Sequence, residues 1–179
     1  LENKLDVGFA FDGDADRCIA VDETGMEVHG DYILYVCGKY LKENGRLEGN
    51  TVVATIMSNL GLFKALEKSG IDYLKTTVGD KYVNEAMVEH GYVLGGEQSG
   101  HIIFSKHATT GDGMLTAIML MEVILEKKQS LHTLCENMKM YPQYLQNVRV
   151  IDKKAIIENE AVQRKKHEIE KMLGENGRI

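Results

Sequence analysis

The stretch TVVATIMSNLGLFKALEKSG, residues 51–70, decides the fold class of this 179-residue chain. Every residue from 51 to 57 is β-branched or apolar, which is typical of a buried strand. Ser58 or Asn59 can cap the following segment, residues 60–69, in which apolar side chains recur at helical spacing. A buried strand followed directly by an amphipathic helix is the repeating unit of α/β proteins. We therefore predict an α/β fold.

Strand and helix patterns alternate on both sides of this unit. We predict strands at residues 6–11, 18–22, 27–29, 51–57, 71–77, 92–95, 101–104 and 147–152, and helices at residues 31–44, 60–69, 82–90, 113–127, 131–138 and 155–173. The strand at residues 6–11 is expected to be buried. Gly30 and Pro142, the only proline, mark the expected domain boundaries.

Composition excludes several classes of partner. The net charge is −6 and the chain has no basic block, which argues against binding to nucleic acid or an anionic membrane. No apolar run reaches the length of a membrane span, and no signal peptide is visible. Three cysteines without C-x-x-C spacing are typical of reduced thiols in a cytoplasmic protein, which is the location we expect. The sequence leaves oligomeric state open, a homodimer included.

Three aspartates occupy alternate positions in VGFAFDGDADRCIAV, residues 7–21. In an extended segment, Asp12, Asp14 and Asp16 project to one side. Such close like charges raise one another's pKa, and a bound divalent cation would offset them. Oxygen ligands favour Mg²⁺, with Ca²⁺ or Mn²⁺ as alternatives. Arg17 would hold a phosphate beside the metal. We call residues 12–17 the aspartate loop.

Two other interpretations of the aspartate loop need to be considered. The EF-hand pattern places three aspartates in this way, but Arg17 occupies the position where the sharp turn requires glycine, and the flanks are strand-like. We therefore reject it. A strand followed by D-x-D also occurs in phosphatases in which Asp12 would be the nucleophile and Asp14 the acid/base. Asp16 and Arg17 fit that chemistry less well, and the phosphatase remains the alternative hypothesis.

A second polar segment is GGEQSGH, residues 95–101, which we call the glycine-rich loop. Its glycines permit tight turns beside a ligand. Glu97 and Ser99 offer side-chain oxygens two residues apart, which can bind adjacent sugar hydroxyls. His101 would serve either in proton transfer or in binding a phosphate. These residue types are suited to a sugar-phosphate ligand, and a glycine-rich hairpin with a structural histidine is the alternative interpretation.

Two further polar turns are expected near the same edge of the sheet. Gly79, Asp80 and Lys81 lie at a predicted strand-to-helix junction, where open α/β sheets bind ligands. Asp80 is expected either to cap the helix or to contact substrate. In the turn at residues 109–113, we expect Asp112 to cap the long helix that follows.

FDGDADR and GGEQSGH together resemble the metal loop and the sugar-recognition loop of the α-D-phosphohexomutase superfamily. GEQSGHIIF followed by TTGDG is most similar to the bacterial phosphoglucosamine mutase branch, with the phosphomannomutase and phosphoglucomutase branch as the alternative. The resemblance implies a mixed β-sheet sandwiched by helices, with partial flanking domains. It covers nearly the whole chain.

The family has four domains, and the resemblance implies a division of this chain among three of them. Residues 1–29 would be the end of the second domain with the metal loop, residues 30–141 the third domain with the sugar loop, and residues 142–179 a linker and the start of the fourth. We expect both ends to be cut from a longer chain. Neither the family's nucleophilic serine nor its phosphate-binding loop is found in the sequence.

The chemistry implied by the resemblance is an isomerase reaction in amino-sugar and peptidoglycan-precursor synthesis. A phosphoserine of the missing first domain would convert glucosamine 6-phosphate into a bisphosphate and then into glucosamine 1-phosphate, with Mg²⁺ bound by the three aspartates. Glu97 and Ser99 would contact the sugar hydroxyls, and Gly79 and Asp80 would help to bind the substrate. Arg17, His101 and Lys81 are the expected catalytic residues, Lys81 at a position that holds a basic residue in the family. The partners would be a phosphorylated hexosamine and the missing domains, and this chain alone is expected to be inactive.

Overall fold

The computed structural model describes residues 4–179. Contacts between residues divide the chain into two compact units, Leu1–Tyr141 and Pro142–Ile179. The predicted division at Gly30 within the first unit remains a prediction.

The first unit begins with a three-stranded antiparallel sheet in the order β1-β2-β3. Its strands are β1 (Val7–Phe11), β2 (Cys18–Asp22) and β3 (Glu27–Val28). The prediction that the first strand is buried is wrong, because Phe11 is 45% exposed and the other residues of β1 are at most partly buried. Within the described residues β1 pairs only with β2, so it forms an edge with one neighbour.

The second sheet contains four strands in the order β5-β4-β6-β7 and is mixed. Its strands are β4 (Thr51–Thr55), β5 (Asp72–Thr76), β6 (Leu94–Gly96) and β7 (Ile102–Phe104). The strand β4 runs parallel to β5 and β6, and β7 is antiparallel to β6. The helices of this unit are α1 (Gly30–Glu43), α2 (Leu60–Lys68), α3 (Asp80–His90), α4 (Gly113–Lys127) and α5 (Leu131–Cys135).

Helices cover both faces of the four-stranded sheet, as predicted. Side chains alternate across β4, so that Val52 and Ala54 belong to the main core, formed with residues of α1, α2 and α4. Val53 belongs to a smaller cluster on the opposite face with Val83 and Met87 of α3. This double burial explains why β4 reads as a continuous apolar run rather than an alternating one.

Side-chain caps at the predicted residues start two of the helices, and a third helix starts without one. Asn59 caps α2 by accepting a hydrogen bond from the Gly61 N–H, and Asp112 caps α4 by accepting one from the Leu115 N–H. The prediction that Asp80 caps its helix is wrong, because α3 begins at Asp80 and the N-cap residue is Gly79. The backbone of Gly79 has φ +129°, a conformation that favours glycine at this position.

The second unit contains the helices α6 (Lys153–Ile157) and α7 (Glu160–Leu173). The single helix predicted at residues 155–173 is therefore wrong, because the Asn159 side chain accepts hydrogen bonds from two N–H groups and starts a new helix. The strand predicted at residues 147–152 is also wrong. Those residues are exposed and irregular, and the described part of this unit offers no second strand with which they could pair.

Two further properties concern the membrane and the cysteines. Among the described helices, none combines the length and apolar character that crossing a membrane requires. Cys18, Cys37 and Cys135 are free and buried. Burial raises the pKa of the Cys18 thiol to about 11 and that of Cys135 to about 12, and it also raises the pKa of Cys37. Burial therefore makes all three thiols poorer nucleophiles near neutral pH than an exposed cysteine.

Candidate metal and sugar site

The aspartate loop forms the turn of the β1–β2 hairpin. One carboxylate oxygen from each of Asp12, Asp14 and Asp16 lies within 4.8 Å of the other two. They converge because the chain turns back on itself, with Ala15 in the left-handed conformation at φ +58° and its N–H donating to Asp12 O at 3.2 Å. The expectation of an extended segment is thus corrected to a tight turn. Asp12 and Asp14 are exposed and Asp16 is half-buried, so the cluster is open to solvent.

Among the described ion pairs, Arg17 is the permanently charged cation that lies nearest to these carboxylates. Its Nε lies 3.7 Å from Asp12 Oδ2 and 3.9 Å from Asp16 Oδ1, and its backbone N–H donates to Asp12 Oδ1 at 3.2 Å. The Arg17 side chain is half-exposed. One guanidinium group offsets only part of three negative charges, so the donor set is suited to a hard divalent cation with oxygen ligands.

The aspartate loop and the glycine-rich loop are joined by backbone hydrogen bonds. Arg17 and His101 form an antiparallel β-bridge, and the Cys18 N–H donates to Gly100 O at 3.1 Å. Gly100 has φ +93°, and a Cβ atom there would lie 2.3 Å from Cys18 O. Only glycine therefore allows the two loops to approach this closely. The structure thus brings together two motifs that lie roughly 80 residues apart in the sequence.

His101 is buried and connects the aspartate loop to the turn at residues 109–113. Its Nδ1 lies 3.0 Å from Asp16 Oδ2, and its Nε2 accepts a hydrogen bond from the Gly111 N–H at 3.1 Å. Because Nε2 is an acceptor, the hydrogen-bond network assigns the ring proton to Nδ1, which donates to Asp16. Both ring nitrogens are engaged within the protein, and the ring fixes the orientation of the Asp16 carboxylate.

Sequence reasoning missed the contact between Gly111 and His101. A Cβ atom on Gly111 would lie 2.4 Å from His101 Nε2, so the ring packs directly against the backbone. Gly113 makes a similar contact with the aspartate loop, since its N–H donates to Ala15 O at 2.9 Å. The glycines of TTGDG were the signal for such a close approach, but they do not reveal the partner.

The glycine-rich loop turns tightly between β6 and β7. The Glu97 N–H donates to His101 O, and the Gly100 N–H donates to Glu97 O, both at 3.0 Å. Glu97 is half-buried, and its Oε1 accepts a hydrogen bond from the Gly79 N–H at 3.1 Å. Ser99 is exposed at the tip of the loop. The predicted residues Gly79 and Glu97 are therefore in direct contact.

Asp80 and Lys81 lie at the start of α3, next to Gly79. Both are exposed or half-exposed, and Lys81 Nζ lies 3.7 Å from Glu85 Oε1, one turn further along the same helix. The link between this corner and the glycine-rich loop is made by the backbone of Gly79. The Lys81 side chain is 74% exposed.

The comparisons with known proteins agree on one family. A family model described as phosphoglucomutase/phosphomannomutase, alpha/beta/alpha domain III, matches residues 29–141. The phosphoglucosamine mutase of Lachnoclostridium phytofermentans is 58% identical over 179 residues, which is 100% of this chain and 40% of that protein. The phosphoglucosamine mutase of Geobacillus kaustophilus is 57% identical over 178 residues, or 99% of this chain and 40% of that protein. The chain thus spans about 40% of the length of these relatives.

Solved structures agree with this match. A putative phosphomannomutase from Thermus thermophilus superimposes with a TM-score of 0.67 at 26% identity, covering 74% of this chain and 30% of that one. The N-acetylphosphoglucosamine mutase of Aspergillus fumigatus gives a TM-score of 0.76 over 94% of this chain and 41% of that one, and at 21% identity it shows the fold alone. Since the family model matches more than half of the chain, the protein belongs to the phosphoglucomutase/phosphomannomutase family.

Proposed function

We propose that this chain carries the metal-binding and sugar-binding loops of a phosphoglucosamine mutase, which interconverts glucosamine 6-phosphate and glucosamine 1-phosphate. The observation that carries the proposal is the direct joining of the two loops, through the Arg17–His101 bridge and the hydrogen bond from Cys18 to Gly100. Relatives with that name are 52–58% identical over nearly the whole chain, which supports this branch over the phosphomannomutase and phosphoglucomutase branch.

Asp12, Asp14 and Asp16 would hold Mg²⁺. Their three oxygens fit a hard divalent ion, which in phosphoryl transfer offsets negative charge on the group that moves. His101 would keep Asp16 in place through its Nδ1–H, so its role here is positioning rather than direct proton transfer. Arg17 would stabilise the transferring phosphoryl group from beside the aspartates.

The sugar would be held by the glycine-rich loop. Glu97 Oε1 already accepts one hydrogen bond from Gly79, which orients the carboxylate and leaves its second oxygen for a sugar hydroxyl. Ser99 is exposed and would bind the neighbouring hydroxyl. The exposed Lys81 would contact the phosphate group of the sugar, and the adjacent Gly79 and Asp80 would also contact the substrate.

The reaction also needs a phosphorylated serine, which we assign to a part of the whole protein outside this chain. Residues 1–29 would then end the second domain, residues 30–141 would form the third, and residues 142–179 would lead into the fourth. The chain by itself would bind metal and would not turn over substrate. A phosphoserine enzyme would make the whole protein a phosphoprotein of amino-sugar metabolism.

The test is ³¹P NMR of the whole protein with Mg²⁺ and glucosamine 6-phosphate. We expect glucosamine 1-phosphate to appear, and we expect Ser99→Ala to raise KM about tenfold, as for a lost hydrogen bond to substrate. The matched control is Ser105→Ala, an exposed serine whose hydroxyl donates to Tyr92 O, which should leave KM unchanged. Release of inorganic phosphate that Asp12→Asn abolishes would instead establish the phosphatase and refute the mutase.

A further inference from the structure

A buried carboxyl group lies behind the glycine-rich loop, outside the residues assigned above. Asp31 is the second residue of α1, and its side chain is fully buried. Burial raises the pKa of Asp31, while hydrogen bonds from the Asn59 N–H and the Gln98 side chain favour its charged form. Burying a carboxyl group costs free energy unless it accepts hydrogen bonds. The groups that donate to Asp31 therefore show which parts of the chain it connects.

One oxygen of Asp31 joins two distant parts of the chain. Asp31 Oδ2 accepts a hydrogen bond from the Asn59 backbone N–H at 2.7 Å and another from Gln98 Nε2 at 3.2 Å. Asn59 caps α2, whereas Gln98 lies in the glycine-rich loop between Glu97 and Ser99. The carboxylate therefore connects the start of α2 to the middle of the loop.

The first residue of α1 contacts the same loop through its backbone. The Gly30 N–H donates to Gln98 O at 3.0 Å, and a Cβ atom on Gly30 would lie 1.9 Å from Glu97 O. The loop therefore packs against the bare backbone of Gly30. Gln98 is held at both its main chain and its side chain, and these two contacts come from adjacent residues of one helix.

Asn59, at the other end of the connection through Asp31, is also held by hydrogen bonds. The Asn59 side chain accepts hydrogen bonds from the Gly61 N–H at 2.8 Å and the Tyr141 N–H at 2.9 Å, and its Nδ2 donates to Tyr141 O at 2.8 Å. Asn59 is completely buried. A donor held by this many contacts cannot follow Asp31 if the carboxylate moves, so it acts as an anchor.

We propose that Asp31 is a positioning residue that, through Gln98, sets where Glu97 and Ser99 present their oxygens to a sugar. Asp31 itself does not touch the ligand. That the ligand is a sugar rests on the function proposed above. That Asp31 positions the glycine-rich loop rests on the hydrogen bonds alone. The neighbours of Gln98 in sequence carry the binding oxygens, so a displaced Gln98 displaces both of them.

The experiment compares three variants of the whole protein by amide hydrogen exchange and steady-state kinetics. Asp31→Ala removes the acceptor, and Asp31→Asn keeps an oxygen that can accept from both donors. The matched control is Asp22→Ala, which removes another buried carboxylate that accepts hydrogen bonds from Thr24 and Met26, outside the glycine-rich loop.

We expect Asp31→Ala to accelerate exchange of the Gly100 amide about tenfold and to raise KM by a similar factor, as for a lost charged hydrogen bond. Asp31→Asn should change both quantities less than about threefold, by the same reasoning. Asp22→Ala should lower the melting temperature and leave Gly100 exchange and KM as they are. Unchanged exchange in Asp31→Ala, or equal acceleration in Asp22→Ala, would overturn the proposal.

A fourth variant covers the case in which Asp31→Ala fails to fold. Gln98→Leu keeps the buried carboxylate and its bond from Asn59 but removes the donor in the loop. Gln98→Leu should accelerate exchange of the Gly100 amide about as much as Asp31→Ala does. Exchange at the wild-type rate in this variant would refute the positioning role. A wild-type protein that does not isomerise glucosamine 6-phosphate would refute the proposed function, while the exchange comparison would still decide the role of Asp31.

Discussion

Replacing Gly100 with alanine tests the joining of the two loops. This glycine lies where the glycine-rich loop meets β2, at φ +93°, and a Cβ atom there would lie 2.3 Å from the carbonyl oxygen of Cys18 and 3.0 Å from its carbonyl carbon. Both contacts are with backbone rather than with a flexible side chain. The loops must therefore separate before alanine fits.

The expected cost has two parts. Placing alanine in a left-handed conformation costs about 1–2 kcal/mol. Separating the loops breaks the hydrogen bond from the Cys18 N–H to Gly100 O and the bridge between Arg17 and His101, each worth about 1 kcal/mol. We expect Gly100→Ala to lower the free energy of unfolding by about 3–4 kcal/mol in total. It should also weaken Mn²⁺ binding, because His101 and Arg17 move with the bridge.

The matched control is Gly45→Ala. Gly45 also has a positive φ, +66°, but a Cβ atom there meets nothing within 4 Å. Gly45→Ala should lower the free energy of unfolding by only the conformational cost of about 1–2 kcal/mol, and it should leave Mn²⁺ binding unchanged. Urea denaturation measures the stability of both variants, and calorimetric titration measures Mn²⁺ affinity. Equal destabilisation by the two substitutions, or Mn²⁺ affinity that Gly100→Ala does not alter, would refute the reasoning.

Three further predictions concern the aspartate loop, acid stability and the core. Asp14→Asn should reduce Mg²⁺ affinity at least about tenfold in a calorimetric titration and should not lower the melting temperature without Mg²⁺, because it relieves like-charge repulsion, whereas Glu89→Gln on the exposed face of α3 should change neither. Burial raises the pKa of Asp22, but hydrogen bonds from Thr24, Met26 and His132 outweigh it and hold that pKa below its ordinary 3.8, so the stability it confers is present above that value and lost as pH falls through the lowered one. The difference in urea stability between wild type and Asp22→Asn should therefore be larger at about pH 6 than at about pH 3, and a difference that grows in acid would contradict the assignment. Leu94→Ala, at a fully buried position of β6, should cost about 2–5 kcal/mol in urea denaturation, whereas Leu125→Ala, 67% exposed on α4, should cost less than about 0.5 kcal/mol.

Much of the fold could be predicted because local signals and burial agree. The apolar run at β4 is buried on both faces, Asn59 and Asp112 cap the helices that follow them, and Gly91 ends α3 in a left-handed conformation. The errors arise where a pattern allows more than one outcome. Residues 147–152 have strand-like composition, but a strand needs a partner, and Asn159 interrupts a charged segment that composition alone predicts as one helix.

The candidate site could be predicted in its residues but not in its connections. Three alternate aspartates indicate a cation site, yet their convergence depends on the turn at Ala15, which has a left-handed backbone conformation that an alanine seldom adopts. The contacts of His101 with Asp16 and Gly111 join residues that are far apart in the sequence or separated by a strand. Asp31 has the sequence position of a favourable acidic residue at a helix start, and only the structure reveals that it holds Gln98.

The most direct test of the account is anomalous diffraction from crystals of the whole protein grown with Mn²⁺ and glucosamine 6-phosphate. We expect one Mn²⁺ peak within ligand distance of Asp12, Asp14 and Asp16, and sugar hydroxyls hydrogen-bonded to Glu97 and Ser99. A manganese peak elsewhere, or a sugar bound away from the glycine-rich loop, would contradict the claim that these two joined loops form one catalytic site.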